Sequence, residues 1–399
     1  MAMPDSVCGA GAASRRQEYT DVAIIGAGPA GATLARRLAE TTNYRVTLLD
    51  RRALDRPRQG VGKCCGGLLA PDAQRSLARQ GLILPLEILV DPQIFAVRTI
   101  DLHLPEERYY SRSYLNMDRE KFDRWLLGLV PPEVRVHTGA VCRGVHRIGG
   151  SYAVDYQQGG EACRLYARCV VGADGGGSLV RRSLYGTHEI ARYVAVQEWY
   201  ADDSGSPFYG ALFDEELTDC YGWLISKNDR LVLGAAFPQD NAARRFACLK
   251  RRLQKRGFVF GERVRREGCI VCRPTGPKSF CTGRDGAFLV GEAAGFISPS
   301  SLEGISYALD SGALLAKALL PGIAGAGRRY AQLTAGLRLR LLGKLMKNPF
   351  LYQPVIRETI LESGLASLSV LSAAGRTASR PEAAAPDTGA APGCTAQRR

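Results

Sequence analysis

The spacing of apolar residues predicts that the fold begins with a strand, a helix and a second strand. An uninterrupted apolar run is typical of a buried strand, so we predict a strand over residues 19–26. Leu34 and Leu38 lie four positions apart, as on one face of a helix, which predicts a helix over 29–41. A second strand is predicted over 44–50, and the three elements together form a βαβ unit.

Further along the chain the pattern favours short strands and then helices. Residues 133–173 predict short strands joined by glycine-rich turns at 149–150 and 159–160. Residues 190–237 and 262–273 alternate between apolar and polar positions, which indicates an antiparallel sheet. Later helices are predicted over residues 301–320, 326–347 and 354–371.

A glycine-rich loop joins the first strand to the first helix. Gly26, Gly28 and Gly31 fit a spacing in which one glycine allows a tight turn, the next lets the backbone approach a pyrophosphate, and the third lets helix and strand pack closely. The start of the helix offers free N–H groups and the positive end of its dipole to phosphates. Asp50, at the end of the second strand, is placed to accept hydrogen bonds from a ribose. The loop predicts a dinucleotide site, but by itself it does not separate FAD from NAD.

Two later segments share the form of an apolar strand that ends in a glycine-flanked acid and leads into a helix. Asp174-Gly175 closes the first segment, and Gly291-Glu292 closes the second. The second segment places an acid, and then the helix start at Gly304-Ile305, beside the polyol phosphate chain that a ribityl diphosphate would bring. Together the two segments favour FAD.

In order and spacing, the three segments resemble those of glutathione-reductase-type flavoproteins with a p-hydroxybenzoate-hydroxylase-like fold, over residues 20–340. The resemblance implies FAD as cofactor, with the second and third flavin motifs at Asp174-Gly175 and Gly291-Glu292. Such proteins usually carry Asp where this chain has Glu292, and they place an arginine that matches Arg119 near the flavin. The residues assigned to the cofactor are Gly26, Gly28, Pro29, Ala30, Gly31, Asp50, Arg51, Cys64, Gly66, Gly67, Arg119, Val141, Asp174, Gly175, Gly291, Glu292, Gly304 and Ile305.

Two further motifs resemble the geranylgeranyl-reductase family. Residues 63–69 resemble its Lys-x-Cys-Gly-Gly signature, and residues 220–227 resemble its Tyr-x-Trp-x-Phe-Pro motif with Ile225-Ser226 in place of Phe-Pro. The chain also resembles the bacterial CbrA-type flavoproteins of that family. That likeness is carried by residues 67–76, 291–298 and 301–311.

This resemblance implies an FAD-dependent oxidoreductase that reduces C=C bonds of an isoprenoid or another lipophilic small-molecule substrate. Hydride would pass from flavin N5, with electrons supplied by NAD(P)H or a reduced carrier. The candidate catalytic residues are Cys65, as a proton donor, and Tyr221 and Trp223, which lie two apart on one strand and could form one wall of a substrate channel. The alternatives are that both aromatic residues are core packing, and that Cys64 and Cys65 are reduced thiols in a turn.

Two other functions remain open on the same fold. A flavin-dependent monooxygenase would use the same cofactor to activate oxygen. A flavoprotein could also bind or sequester a lipid or a toxin-related ligand without catalysis.

The order of elements predicts an α/β protein with a Rossmann-type FAD-binding domain, an interleaved antiparallel β-sheet substrate domain and C-terminal helices. The two ends of the chain have the small, polar or Ala- and Pro-rich composition of disordered segments. The predicted boundaries are 1–18 (disordered), 19–185 (flavin domain, with a substrate-side insertion at 70–115), 186–280 (substrate domain), 281–325 (flavin domain), 326–372 (C-terminal helices) and 373–399 (disordered).

Charge and composition narrow the range of partners. Lysine and arginine outnumber aspartate and glutamate by 53 to 39, and a formal charge of +14 indicates either an anionic partner or a solvated basic surface. No nucleic-acid-binding module accompanies the charge, so nucleic acid is not predicted as a partner. The Cys-x-x-Cys pair at 269–272 has no second pair nearby and the chain has four histidines, so no metal site is predicted.

The C-terminal region bears on where the protein resides. No apolar run reaches the length of a membrane span, and the N-terminus holds none that would serve as a signal peptide, so we expect a cytoplasmic protein. Residues 311–357 contain no acid, and Leu333, Leu337, Leu341 and Leu345 recur every four positions. The pattern leaves two alternatives, a helix on the anionic inner face of the membrane or a helix packed on the flavin domain with a solvated basic face.

Overall fold

The computed structural model describes most of the chain between residues 16 and 368. The described ranges are 16–54, 64–105, 107–186, 190–202, 207–346, 348–364 and 366–368. The disorder predicted for 373–399 and for residues 1–15 concerns parts of the chain outside these ranges. Lys63 of the cysteine motif also lies outside them.

The described residues form strands and helices in an alternating order. The strands are β1 (Arg16–Ile25), β2 (Val46–Asp50), β3 (Leu68–Leu69), β4 (Ile94–Asp101), β5 (Glu107–Asn116), β6 (Arg135–Thr138), β7 (Val141–Ile148), β8 (Ser151–Gln158), β9 (Glu161–Gly172), β10 (Ala191–Ala201), β11 (Phe208–Phe213), β12 (Gly222–Lys227), β13 (Arg230–Pro238), β14 (Arg263–Arg273), β15 (Gly283–Arg284) and β16 (Ala287–Leu289). The helices are α1 (Pro29–Thr41), α2 (Pro71–Arg79), α3 (Arg119–Gly128), α4 (Leu179–Tyr185), α5 (Ala242–Lys255), α6 (Ile305–Leu319), α7 (Ala326–Leu333), α8 (Ala335–Leu345), α9 (Asn348–Tyr352) and α10 (Pro354–Ser363).

The first sheet is built on the predicted βαβ unit. Its order is β15-β16-β9-β1-β2-β6, with β1 parallel to both β2 and β9, and β7 and β8 extend it through antiparallel pairing with β9. The helix of the unit has the predicted bounds. Strand β1 starts at Arg16, so residues 16–18, predicted to be disordered, pair instead with β9. The parallel strands bring their carboxyl ends to one edge of the sheet, where open α/β sheets bind their ligands.

The second sheet confirms the predicted antiparallel pattern and draws on two stretches of the chain. Its order is β14-β10-β13-β12-β11-β4-β5-β3, antiparallel except for β11 and β4. Strands β4 and β5 come from within the predicted insertion at 70–115 and join strands that follow residue 190. Helix α5 covers one face of this sheet, where Phe246 packs against Phe237. The Rossmann-type α/β fold with an interleaved second sheet is therefore confirmed.

The helices after the second sheet differ from the prediction at three points. The helix predicted over 354–371 ends at Ser363, because Gly364 takes a positive φ of 60°. Helix α6 begins at Ile305 rather than 301, because Leu302 takes a positive φ of 50° in the turn before it. The helix predicted over 326–347 is divided at Thr334, whose hydroxyl and N–H both donate to the Tyr330 carbonyl, at 2.7 and 3.0 Å. Back-bonding of this kind bends helices. No helix in the described ranges combines the length and apolar character that crossing a membrane requires.

The leucine stripe of α7 and α8 packs on the protein. Leu337 and Leu341 are buried in the core beneath the first sheet, and Leu333 is partly buried beside them. This contradicts the alternative in which that stripe lies on a membrane. The stripe is instead the inner face of a helix with a solvated opposite side.

Gly31→Ala is expected to lower the free energy of unfolding by about 3 kcal/mol. A Cβ at this position would lie 1.9 Å from the Gly26 carbonyl oxygen, which belongs to a tight loop that cannot retreat. Urea unfolding followed by circular dichroism measures the change. Gly128→Ala is the matched control, because a Cβ there meets no atom within 4 Å and the variant should stay within about 1 kcal/mol. Equal unfolding midpoints for both variants would contradict this account.

Candidate functional site

Three loops meet at the carboxyl edge of the first sheet. A Cβ on Gly26, where φ is +105°, would lie 2.4 Å from the Ala173 carbonyl oxygen, so the first and second motifs are in backbone contact. A Cβ on Gly291 would lie 3.1 Å from that of Ala30, so the third motif touches the start of α1. The structure therefore brings together the three segments that the sequence assigned to one dinucleotide.

The first loop leaves an open face on the backbone. A Cβ added to Gly28 would meet no atom within 4 Å, in contrast to Gly26 and Gly31 on either side. Helix α1 starts directly after Gly28 without a side-chain cap, so its first N–H groups face outward. The Ala27 N–H donates to Asp50 Oδ2 at 2.6 Å, which holds the loop against the end of β2. This arrangement suits a pyrophosphate.

The second and third motifs add an acid and a second helix start. Asp174 Oδ2 accepts from the Leu179 N–H at 2.7 Å at the start of α4, whereas Asp174 Oδ1 is buried with no hydrogen-bond partner among the described residues. Burial raises the pKa of this carboxyl group. Helix α6 follows Gly304 without a side-chain cap. An orphaned buried oxygen, two uncapped helix starts and the open face at Gly28 fit a bound FAD.

A chain of charged contacts runs from the nucleotide loop to the cysteine motif. Arg52 Nη2 donates to Asp50 Oδ2 at 3.0 Å, and Arg52 Nη1 donates to Asp123 Oδ2 at 2.7 Å. Arg119 Nε donates to the other oxygen of Asp123 at 2.9 Å, and Arg119 Nη1 lies 3.2 Å from Cys65 Sγ. We call these five residues the Asp50–Cys65 chain. Arg52 already bonds to the Asp50 carboxylate. The contact between Asp50 and a ribose therefore stays a prediction.

The middle of the Asp50–Cys65 chain stays ionised in spite of its burial. Burial alone would raise the pKa of Asp123, but Arg119 and Arg52 beside it bring that pKa below its ordinary value. Burial likewise opposes the charge on Arg119, yet Asp123 and Cys65 raise its pKa above the usual range. Cys65 Sγ therefore lies beside a permanent cation.

A buried lysine fastens the cysteine loop from the opposite side. Lys227, at the end of β12, donates to the Gly67 carbonyl at 3.2 Å, to Asn116 Oδ1 at 2.6 Å and to the Met117 carbonyl at 2.8 Å. Burial lowers the pKa of Lys227 to about 7, while nearby Cys65 and Asp118 act in the opposite direction. The loop that carries Cys65 is thereby tied to β5, β12 and the start of α3.

The two predicted aromatic residues lie together next to this loop. The rings of Tyr221 and Trp223 meet edge to face with centroids 6.2 Å apart. Tyr221 OH donates to the Ser301 carbonyl at 2.5 Å, and Trp223 Nε1 donates to Gln197 Oε1 at 3.0 Å. A Cβ on Gly66 would lie 3.9 Å from Trp223 Cδ1. Both rings therefore stand between the cysteine loop and the turn that follows the third motif, a position that suits a channel wall and core packing alike.

The remaining predicted residues lie around the same centre at various distances from it. Glu292 Oε1 accepts from the Cys272 N–H at 2.8 Å, so its longer side chain reaches across to β14. The Cys64 carbonyl accepts from Cys269 Sγ at 3.7 Å, while Cys272 Sγ points to Gly176. Val141 begins β7 beside Ala140, whose N–H donates to the Asp50 carbonyl. Arg51 is exposed at the end of β2.

Sequence reasoning missed four residues that build this site. Arg52 and Asp123 form the middle of the Asp50–Cys65 chain, and Asn116 and Lys227 hold the cysteine loop. Asp123 could have been found from the sequence, because it follows Arg119 by four positions on a helix that Asp118 caps. Lys227 could also have been found, because a single lysine at the end of an apolar strand indicates a buried cation with hydrogen-bond partners.

Comparisons with known proteins agree with this geometry. The model of the family of FAD dependent oxidoreductases matches residues 21–125. The chain is 45% identical over 354 residues to Protein CbrA of Escherichia coli O9:H4 (strain HS), covering 89% of this chain and 96% of that protein. It has the same identity to Protein CbrA of Shigella sonnei (strain Ss046), covering 99% of that protein.

Solved structures with the same fold are more distant in sequence. A geranylgeranyl bacteriochlorophyll reductase-like protein from Thermoplasma acidophilum has a TM-score of 0.69 at 18% identity, covering 87% of this chain and 90% of the other. The flavin-dependent halogenase CmlS has a TM-score of 0.63 at 20% identity, and the match covers 83% of this chain and 63% of CmlS. PqsL of Pseudomonas aeruginosa, a probable FAD-dependent monooxygenase, has a TM-score of 0.63 at 20% identity. The match covers 87% of this chain and 100% of PqsL. These likenesses show the fold, and the family match over residues 21–125 indicates FAD as the cofactor.

Gly28→Ala is expected to leave the free energy of unfolding unchanged within about 0.5 kcal/mol, because the new Cβ enters open space. The same Cβ would stand where the pyrophosphate approaches, so FAD affinity should fall on the order of tenfold or more. Flavin titration by fluorescence quenching measures the affinity, with Gly128→Ala as the control. Unchanged affinity would place the pyrophosphate elsewhere.

Lys227→Met is expected to change how stability depends on pH. Between about pH 7 and the ordinary lysine pKa of 10.5, the folded protein binds fewer protons at Lys227 than the unfolded chain does. The contribution of Lys227 to the free energy of unfolding therefore rises with pH across this window. Urea unfolding at a series of pH values should show the wild type gaining stability relative to the variant. Lys121 is exposed and bonds to one carbonyl, so it serves as the control. The free energy of unfolding of Lys121→Met should depend on pH as that of the wild type does.

Proposed function

We propose that this chain, which belongs to the CbrA family of FAD-dependent oxidoreductases, reduces C=C bonds of an isoprenoid or another lipophilic substrate. The observation that carries the proposal is the position of Cys65. Its thiol lies 3.2 Å from the partly buried guanidinium of Arg119, at the end of a charged chain that starts in the nucleotide loop. A proton donor whose anion is stabilised in place is what the second half of such a reduction needs.

FAD held by the three motifs would supply the hydride once reduced. The Cys65 thiol gives its proton to the other carbon of the double bond, so that the substrate gains one H⁻ and one H⁺. The thiolate that remains is stabilised by Arg119, whose own charge is kept by Asp123. Reprotonation of Cys65 from solvent restores the starting state. Arg119 and Asp123 are positioning residues in this scheme.

The aromatic side of the cysteine loop favours a lipophilic substrate. Tyr221, Trp223 and Tyr209 belong to one apolar cluster with Cys64 and Ile297. Burial raises the pKa of Tyr221 well above its ordinary value, so the phenol stays neutral at any physiological pH. Such walls exclude water from the reacting atoms and contribute no charge of their own. The description of the Thermoplasma acidophilum structure as geranylgeranyl bacteriochlorophyll reductase-like supports the same substrate class.

The electron donor belongs to the proposal as well. NAD(P)H or a reduced carrier would deliver electrons to the flavin, and the cytoplasm or the inner face of the membrane is where both donor and substrate would be met. The matches give no preference between the two donors.

The test begins with anaerobic reduction of the FAD-loaded protein by NADH, NADPH or dithionite, followed by addition of prenyl lipids and mass spectrometry. Products that gain two hydrogens per reduced bond are expected. Cys65→Ala should slow product formation by about 10²-fold or more while leaving flavin reduction unchanged. Cys248→Ala, a cysteine on α5 away from the site, is the matched control and should behave as the wild type.

Three outcomes would contradict the proposal. Incorporation of oxygen into the product, with flavin that reoxidises in air only when substrate is present, would assign a monooxygenase. Equal effects of Cys65→Ala and Cys248→Ala would remove Cys65 from the chemistry. A flavin that accepts electrons but transfers none to any offered lipid, in a protein that binds the lipid, would favour the binding role.

A further inference from the structure

Five large apolar side chains are exposed in one short C-terminal segment. Leu339 is 72% exposed, Met346 77%, Phe350 57% and Val355 73%, and Leu351 is exposed beside them. We call these five residues the C-terminal apolar face. Single exposed apolar residues are ordinary on a protein surface, but a concentration of them marks an interaction site.

The packing of α8 explains why this face points outward. Leu337 and Leu341 occupy the inner side of the helix and are buried in the core. Leu339 and Met346 are seven positions apart, which places them on the same, outer side. Helices α9 and α10 then continue the segment with Phe350 and Val355. The face is therefore distinct from the leucine stripe that the sequence singled out.

The charge along α8 and α9 is positive. No acid occurs between residues 311 and 357, and the next two acids, Glu358 and Glu362, lie on α10. Arg340, which follows Leu339 on α8, is well exposed and reaches toward α6, where it shares a groove with Arg75 and Arg79 of α2. The acids in that groove, Asp72 and Asp310, each already contact two basic side chains. Basic groups that flank exposed apolar ones match an anionic lipid surface.

The inner side of α9 leads directly to the candidate site. Tyr352 OH donates to the Ser300 carbonyl at 2.5 Å, and its ring packs 5.9 Å from that of Phe213. The next carbonyl, of Ser301, accepts from Tyr221 OH. One short helix therefore presents Phe350 to the outside and Tyr352 to the turn that borders the aromatic wall.

We infer that the C-terminal apolar face docks on an anionic lipid bilayer and that α9 forms the side of the site through which a lipophilic substrate enters from it. The inference rests on the proposed function for the nature of the substrate. The docking itself needs only the apolar side chains to enter the interface and the adjacent arginines to meet lipid phosphates. A substrate that never leaves the bilayer could then reach Tyr221 without crossing water.

The test is flotation of the full-length, FAD-loaded protein with vesicles of phosphatidylcholine, with and without phosphatidylglycerol. Binding is expected only to the vesicles that contain phosphatidylglycerol and should weaken as salt increases. The double variant F350S/V355S should bind on the order of tenfold more weakly, since two side chains lose their burial in the interface. F95S/V259S is the matched control, because Phe95 and Val259 are 68% and 86% exposed on other elements. It should bind as the wild type.

Several results would overturn the inference. Full-length protein that floats with neither vesicle, or equal binding by both double variants, removes the docking face. A concentration-dependent dimer that F350S/V355S dissociates, without vesicle binding, would assign the face to a second copy of this chain. The reduction assay in detergent separates the two proposals. Turnover of dispersed lipid without vesicle binding overturns only the docking, and vesicle binding without turnover overturns only the proposed function.

Discussion

The candidate site depends on one buried carboxylate, Asp123, which holds two guanidinium groups at once. Arg52 and Arg119 approach its two oxygens at 2.7 and 2.9 Å, and through them the nucleotide loop is connected to the thiol of Cys65. Removing the carboxylate would leave Arg119 without its acidic partner and Arg52 with Asp50 alone, which costs more than the loss of either bond. The geometry of the reacting thiol and that of the cofactor loop are therefore coupled through a single side chain.

Close backbone contacts place this carboxylate and the cofactor motifs in a common frame. Gly26 touches the backbone of the second motif, and Gly312 on α6 lets that helix approach the start of α1 so closely that a Cβ would lie 2.5 Å from the Ala30 carbonyl. Lys227 connects the second sheet to these motifs, because it bonds to the Gly67 carbonyl on the cysteine loop and to the Met117 carbonyl before α3. The site thus lies where two sheets share their connections, and neither sheet forms it alone.

The C-terminal helices show how similar sequence patterns can have opposite structural meanings. Leu337, Leu339 and Leu341 alternate in a stretch rich in arginine, yet two of them complete the core and one faces outward. The break at Thr334 decides the direction of α8 and hence which side is covered. Apolar residues left outside then lie on the same segment as Tyr352, which contacts the turn beside the aromatic wall.

The sequence by itself determined the βαβ unit, the three cofactor motifs and their order, because glycine spacing and apolar runs are local properties that strand and helix geometry impose directly. It also placed Cys65, Arg119, Tyr221 and Trp223 in the segments that converge. Only the tertiary structure decided that Arg52 rather than Arg51 joins Asp50 to Asp123, that Glu292 reaches β14, and that a lysine from β12 fastens the cysteine loop. These contacts link residues far apart in the chain, and their formation depends on how two sheets and the helices between them pack, which no local pattern encodes.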